Sequence, residues 1–211
     1  MPATVTLYHC PNTRSTGALT LLEELGMPYE LQVLDMKAGE QRQPAFLAVN
    51  PMGKVPTIRH GDAVVTEQGA IFLYLADLWS QAGLAPTIGD PLRGPYLRWL
   101  VFYGSSFEPA MVDRALGREP GQASTMPYGD VDTTVATLAG QLAKGPWLLG
   151  ERFTAADVLW GTALAWMIQF GLLPAEEPFK GYVARWNARP SVARARDIDT
   201  KLAAAQAAGT R

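Results

Sequence analysis

The 211 residues carry 48% apolar and 18% charged side chains with a net charge of −2, the make-up of a globular chain long enough for one large core or two small ones. That balance leaves no basic surplus for nucleic acid or an anionic bilayer, and no apolar run nears the roughly 18 residues that span one. Cys10 is the only cysteine, which excludes an internal disulfide; His9 and His60 lack metal-ligand spacing, and no leader-like segment precedes the first strand, so a cytoplasmic protein without a metal is expected.

Thr4 to Tyr8 alternates with β-branched residues and predicts the first strand. After the polar break Cys10-Pro11-Asn12-Thr13-Arg14, the residues Ala18, Leu19, Leu21, Leu22 and Leu25 mark the apolar face of a helix that Gly26 ends. Tyr29 to Leu34 predicts a second strand, and strand–helix–strand implies a parallel pair with a crossover. A helix is expected over Glu40–Val49. Thr57-Ile58-Arg59 and Ala63-Val64-Val65 flank His60-Gly61-Asp62 as a hairpin, and a helix follows from Glu67 to about Gln81. Residues 1–82 therefore read as βαβ, helix, ββα around one four-stranded sheet.

The Pro- and Gly-rich stretch 83–95 reads as a linker. From 96 to 211 only helices are expected, so the fold class is α/β plus an all-helical bundle. Tyr96–Phe102 starts one helix and Asp130–Leu142 makes another. Ala155–Gly171 is almost wholly apolar and reads as the buried central helix. The run Tyr182, Val183, Trp186 makes a further helix that Pro190 terminates, and the Ala-rich stretch 202–208 is expected to fray. Phe153-Thr154-Ala155-Ala156-Asp157-Val158 has the spacing of a capping box with a hydrophobic staple, which assigns Asp157 a structural role.

The richest stretch is Asn50-Pro51-Met52-Gly53-Lys54-Val55-Pro56-Thr57. Its Val55-Pro56 step runs straight into a strand and is expected to be cis, with the backbone of Val55 turned outward to pair with an extended peptide. Glu67 then opens a helix, so a carboxylate and free helical N–H groups converge beside that edge. Such a site suits a small zwitterionic peptide.

Four segments carry a family resemblance: Leu22-Glu23-Glu24-Leu25-Gly26 with Pro28-Tyr29-Glu30, Asn50 to Pro56, Glu67-Gln68-Gly69-Ala70-Ile71 with Tyr74-Leu75, and Phe153 to Asp157. In this order and spacing they resemble the cytosolic glutathione S-transferases of bacterial type, along essentially the whole chain. The resemblance implies a thioredoxin-like domain over 1–82 that binds glutathione as co-substrate. It also implies a helical domain over 96–211 that supplies a hydrophobic electrophile pocket, and a homodimer. It assigns Val55 and Pro56 to the cysteinyl unit and Glu67 and Gln68 to the γ-glutamyl end. Gln41, Arg42 and Lys54 fall near the glycyl carboxylate. Tyr103, Phe107, Met111 and Trp166 are the candidates for the electrophile pocket, though aromatic residues at helical spacing serve equally as core.

The implied chemistry, detoxification by thiolate transfer, requires a donor to the sulfur just after the first strand. Ser15, Asn12 and Thr13 compete for that place, Ser15 fitting a helix cap as well. Cys10-Pro11 superficially matches relatives that form mixed disulfides, but it falls too early relative to Gly26 and reads as a semi-buried residue. A glutathione-dependent disulfide reductase or peroxidase and a non-catalytic interaction module are the alternatives.

Overall fold

The computed structural model describes residues 4–119 and 121–209, and the chain divides into two compact units, residues 1–82 with 189–211 and residues 83–188. In the first, β1 (Val5–His9), β2 (Tyr29–Val33), β3 (Thr57–His60) and β4 (Ala63–Val65) form a sheet of order β2-β1-β3-β4. β1 runs parallel to β2, pairing Val5 with Tyr29 and His9 with Val33, while β3 is antiparallel to both β1 and β4. The strand alternation sends Val5, Leu7 and His9 to the buried face.

Helix α1 (Ser15–Leu25) buries Ala18, Leu19, Leu21, Leu22 and Leu25 as its apolar spacing requires. It stops at Gly26, whose φ of 63° suits glycine and whose N–H returns to the Leu22 carbonyl at 3.1 Å. The helix expected over Glu40–Val49 is instead broken into a 3-10 turn, Glu40–Arg42, and a short α2 (Pro44–Leu47). Pro44 is the cause: it forces Gln43 out of helical geometry, to φ −77° and ψ 149°. Helix α3 (Gln68–Leu78) follows the hairpin and ends short of Gln81, where a 3-10 turn takes over.

Helices are the regular elements of the second unit among its described residues, with isolated bridges pairing Trp147 with Gly150 and Leu149 with Arg152. α4 (Arg93–Phe102) begins inside the stretch expected to be linker and passes through a π-helical turn, Tyr103–Phe107, into α5 (Glu108–Ala115). α6 (Val131–Leu142), α7 (Ala155–Gln169) and α8 (Phe179–Asn187) complete it. Its core centres on Trp160 of α7, whose indole N–H donates to the Trp99 carbonyl at 3.0 Å. The capping box is formed as expected, with the Thr154 N–H donating to Asp157 at 2.8 Å. Asp157 also accepts the Leu148 N–H and the Tyr182 hydroxyl at 2.8 and 2.9 Å. Burial pushes its carboxyl up, and these bonds oppose that shift.

The helix after this unit, α9 (Pro190–Ala207), belongs to the unit that holds the sheet. It packs along α1 through Ser191, Val192, Ala195 and Asp199, residues spaced to share one face. Glu24 of α1 accepts from Arg189 and from the Ser191 hydroxyl, and Glu23 accepts from Arg194 and Tyr29, both at 2.6 Å. The expected fraying of 202–208 is not seen. The helix holds to Ala207, and the Gln206 amide donates to the Leu34 carbonyl at 3.1 Å.

Candidate functional site

Three segments of the first unit converge: the loop between β1 and α1, the turn before β3, and the head of α3. The first is organised by its hydroxyls. Thr13 donates its hydroxyl to the Cys10 carbonyl at 2.7 Å and accepts the Ser15 N–H at 3.3 Å, so Thr13 is what caps α1 from the side. Ser15 is fully buried and accepts the Cys10 N–H at 3.1 Å while touching Nδ1 of His9 at 2.8 Å. Asn12 is exposed and sits at φ 58°, a left-handed conformation that asparagine tolerates better than most residues. Its backbone N–H donates to Asp199 at 3.2 Å, and its side chain has no hydrogen bond among the described residues.

Of the three residues expected to compete for the sulfur, Asn12 alone therefore keeps an open side-chain donor. Thr13 is half-buried with its proton committed, and Ser15 is spent inside. Cys10 is buried beside Leu34, Phe46 and Val55, and burial pushes its thiol up, the reverse of what a nucleophile needs.

The turn before β3 is built on Asn50, which is 2% exposed. Its amide donates to the Lys54 carbonyl and to the Thr57 hydroxyl, each at 3.0 Å, and its Oδ1 accepts the Met52 N–H at the same distance. Val55-Pro56 is cis, as expected, and the ladder between β1 and β3 starts only at Thr57. The backbone of Val55 is thus left beside the sheet without a hydrogen bond among the described residues. Gln41 and Arg42 reach the same turn. The Arg42 guanidinium donates to the Met52 carbonyl at 3.3 Å, and a Cβ on Gly53 would lie 2.6 Å from the Gln41 carbonyl. Lys54 is exposed next to them.

At the head of α3, Glu67 holds φ 64° and ψ 122°, a conformation that non-glycine residues adopt at a cost of about 1–3 kcal/mol. Its carbonyl starts the helix by accepting the Ile71 N–H at 2.9 Å, and its side chain is exposed. Gln68 donates its side-chain amide to the Arg14 carbonyl at 3.2 Å, which ties the head of α3 to the loop that carries Asn12. Glu67 and Gln68 are thereby set beside the loop of Asn12, and Val55 packs against Cys10 at the start of the same loop.

The remaining candidates lie in the second unit. Tyr103 and Phe107 do meet, with ring centroids 6.3 Å apart, but both pack edge-on against Trp160 at 5.6 and 4.8 Å. Phe107 and Met111 are each 1% exposed and serve as core. Tyr103 reaches Glu108 with its hydroxyl at 3.1 Å, and Trp166 is half-buried beside the exposed ring of Phe170. Two further residues, His9 and Asp199, stand behind the loop. No local motif marks them, because they lie on different elements far apart in the chain.

The chain matches the model of the glutathione S-transferase N-terminal domain over residues 3–77 and that of the C-terminal domain over 128–194. It is 30% identical over 166 residues to glutathione S-transferase F10 of Arabidopsis thaliana, covering 73% of this chain and 76% of that one. The disulfide-bond oxidoreductase YfcG of Escherichia coli is 29% identical over 205 residues, 90% of this chain and 94% of that one. Among solved structures, a glutathione transferase homologue from Sulfitobacter with bound glutathione is 30% identical, with a TM-score of 0.75 over 92% of this chain and 98% of that one. A sheet of this order, a helical second unit, and these two domain matches in sequence order leave one conclusion: the chain belongs to the glutathione S-transferase superfamily.

Proposed function

We propose that the protein is a glutathione transferase that binds glutathione on the unit holding the sheet and adds its thiolate to a hydrophobic electrophile. The observation that carries this reading is the head of α3. There an exposed carboxylate, Glu67, is kept in a costly backbone conformation beside the first N–H groups of a helix and is tied to the β1–α1 loop through Gln68. A carboxylate next to helical N–H groups offers complementary charge to the ammonium and carboxylate of a γ-glutamyl group. The unpaired backbone of Val55 matches an extended cysteinyl unit, and Arg42 and Lys54, with Gln41, offer the charge that a glycyl carboxylate needs.

The reaction needs an ionised sulfur. A thiol with a pKa of about 8.5 is only about 3% ionised at pH 7, and lowering it to about 6.5 gains at most about 25-fold in nucleophile. The Asn12 amide is the donor placed to stabilise that anion, and holding the electrophile in line supplies the rest of the acceleration. The sulfur then forms its bond to carbon as a halide or other leaving group departs with the electron pair. Trp166, half-buried beside the exposed ring of Phe170, is the residue of the expected pocket set that still presents surface to such a substrate.

Titration calorimetry of glutathione at pH 7, with Glu67→Gln alongside, tests the reading. Saturable binding that weakens by about 1–2 kcal/mol in the variant is expected for the loss of a charged hydrogen-bonding partner. Wild-type protein that binds no glutathione overturns it.

The match to a disulfide-bond oxidoreductase over 90% of the chain favours a second reading, glutathione-dependent disulfide reduction. In that case the buried Cys10 is a bystander: one glutathione thiolate attacks the substrate disulfide and expels a thiolate, and a second resolves the mixed disulfide, giving two thiols and oxidised glutathione. Cys10→Ala is then expected to retain full activity against a small dialkyl disulfide, and a loss of that activity would return Cys10 to the mechanism.

A further inference from the structure

Behind the β1–α1 loop lie two buried ionisable side chains that the proposed chemistry does not use. Nε2 of His9 stands 2.9 Å from Oδ1 of Asp199, an ion-pair distance, and neither atom has a hydrogen-bond partner among the described residues. Oδ2 of the same carboxylate accepts the Asn12 N–H at 3.2 Å and the Thr16 hydroxyl. The other ring nitrogen, Nδ1, meets the Ser15 hydroxyl at 2.8 Å, and that hydroxyl also reaches the Cys10 carbonyl at 3.0 Å. Ser15 in turn takes the Cys10 N–H. The backbone of the loop is thus linked through Ser15 and His9 to Asp199.

Burying such a pair costs more than burying an apolar one of the same volume. The rest of the buried α9 face, Ser191, Val192 and Ala195, is small and neutral. What an apolar side chain at 199 does not do is accept the N–H of a residue held at φ 58°.

We propose that Asp199, with His9 behind it, is the positioning residue of the sulfur-binding loop: it holds Asn12 in the left-handed conformation that turns its side chain toward glutathione. This rests on the reading of Asn12 as the donor to the thiolate. Neither Asp199 nor His9 touches the substrate, and both act through the loop backbone.

Asp199→Ala, Asp199→Asn and His9→Gln test the proposal in two independent ways. The first needs no glutathione: amide exchange followed by mass spectrometry should speed by about tenfold or more over residues 10–16 in Asp199→Ala, while the β1–β3 ladder stays within about twofold. Unchanged exchange in the loop overturns the proposal whatever the protein does with glutathione. The second is kinetic: kcat should fall by about tenfold or more with KM for glutathione held within about threefold, and the apparent pKa of the bound thiol should rise by about one unit. Asp199→Asn should fall between, since its amide oxygen still accepts the Asn12 N–H, and it serves if the alanine variant does not fold. A parallel loss of kcat and rise of KM, with exchange faster across the whole sheet, would assign the pair a merely structural role. Wild-type protein that binds no glutathione sinks the transferase reading alone, because the exchange result still judges the positioning.

Discussion

In the proposed transferase, Asn12 is the residue on which the chemistry turns, and its backbone and side chain have separable roles. The backbone carries φ 58° and a hydrogen bond to Asp199, while the amide is open to solvent. Glycine adopts that φ without cost, so Asn12→Gly deletes the donor and leaves the loop its shape. Conjugation should slow by about 10²-fold, the usual loss for one donor to a developing anion, with affinity for S-methylglutathione almost unchanged. A rate kept within twofold of wild type would move the donor role to Thr13 or to the loop backbone. Thr13 and Ser15 show what could and could not be read in advance. That hydroxyls crowd the start of α1 is plain from Thr13-Arg14-Ser15-Thr16. Which of them faces outward depends on His9, which takes one hydroxyl inward, and on the Cys10 carbonyl, which takes another.

At the level of elements, α1, the hairpin and the capped α7 were legible because each carries a periodic apolar face or a paired end signal. The interruption at Gln43 follows from Pro44 and was legible too, but the apolar run Phe46, Leu47, Val49 outweighed it in the expectation of one helix. α9 was hidden for a different reason. Its packing face is Ser191, Val192, Ala195 and Asp199, so close approach to α1 replaces the bulky stripe by which buried helices are found. The clasp that holds it gives a pH dependence. Burial raises the Glu24 carboxyl, but the bonds from Arg189 and Ser191 outweigh it and hold the group below its ordinary value. A depressed folded pKa contributes stability that is present above the unfolded pKa and lost as pH falls through the folded one. Amide exchange in α9 should therefore speed up relative to the sheet below about pH 4.5, the ordinary value for this group, and Glu24→Gln should remove much of that acid sensitivity. Equal acid sensitivity in the variant would place the titrating group elsewhere.

At the scale of the molecule, the chain builds part of one unit, then all of the second, then returns to finish the first. A fragment of residues 1–82 has the sheet, Val55, Glu67 and Asn12, yet lacks every α9 partner of Glu23, Glu24 and the loop. Such a fragment should show weak amide protection in α1 and poor glutathione binding, both recovered on adding a peptide of residues 189–211. Full binding by the fragment alone would show that α9 is dispensable to the site.

The same path through the chain sets a timetable during translation. The ribosome makes β1, the loop and the whole of the second unit before it reaches Asp199. At about 5–20 residues per second that gap is on the order of ten seconds or more. For that interval the nascent chain presents a complete sheet edge with the Asn12 loop still slack. If Asp199 positions the loop as proposed, capacity to ionise a thiol arises only when α9 folds back, and a chain stalled or terminated upstream of it reaches the cell with its sulfur chemistry switched off.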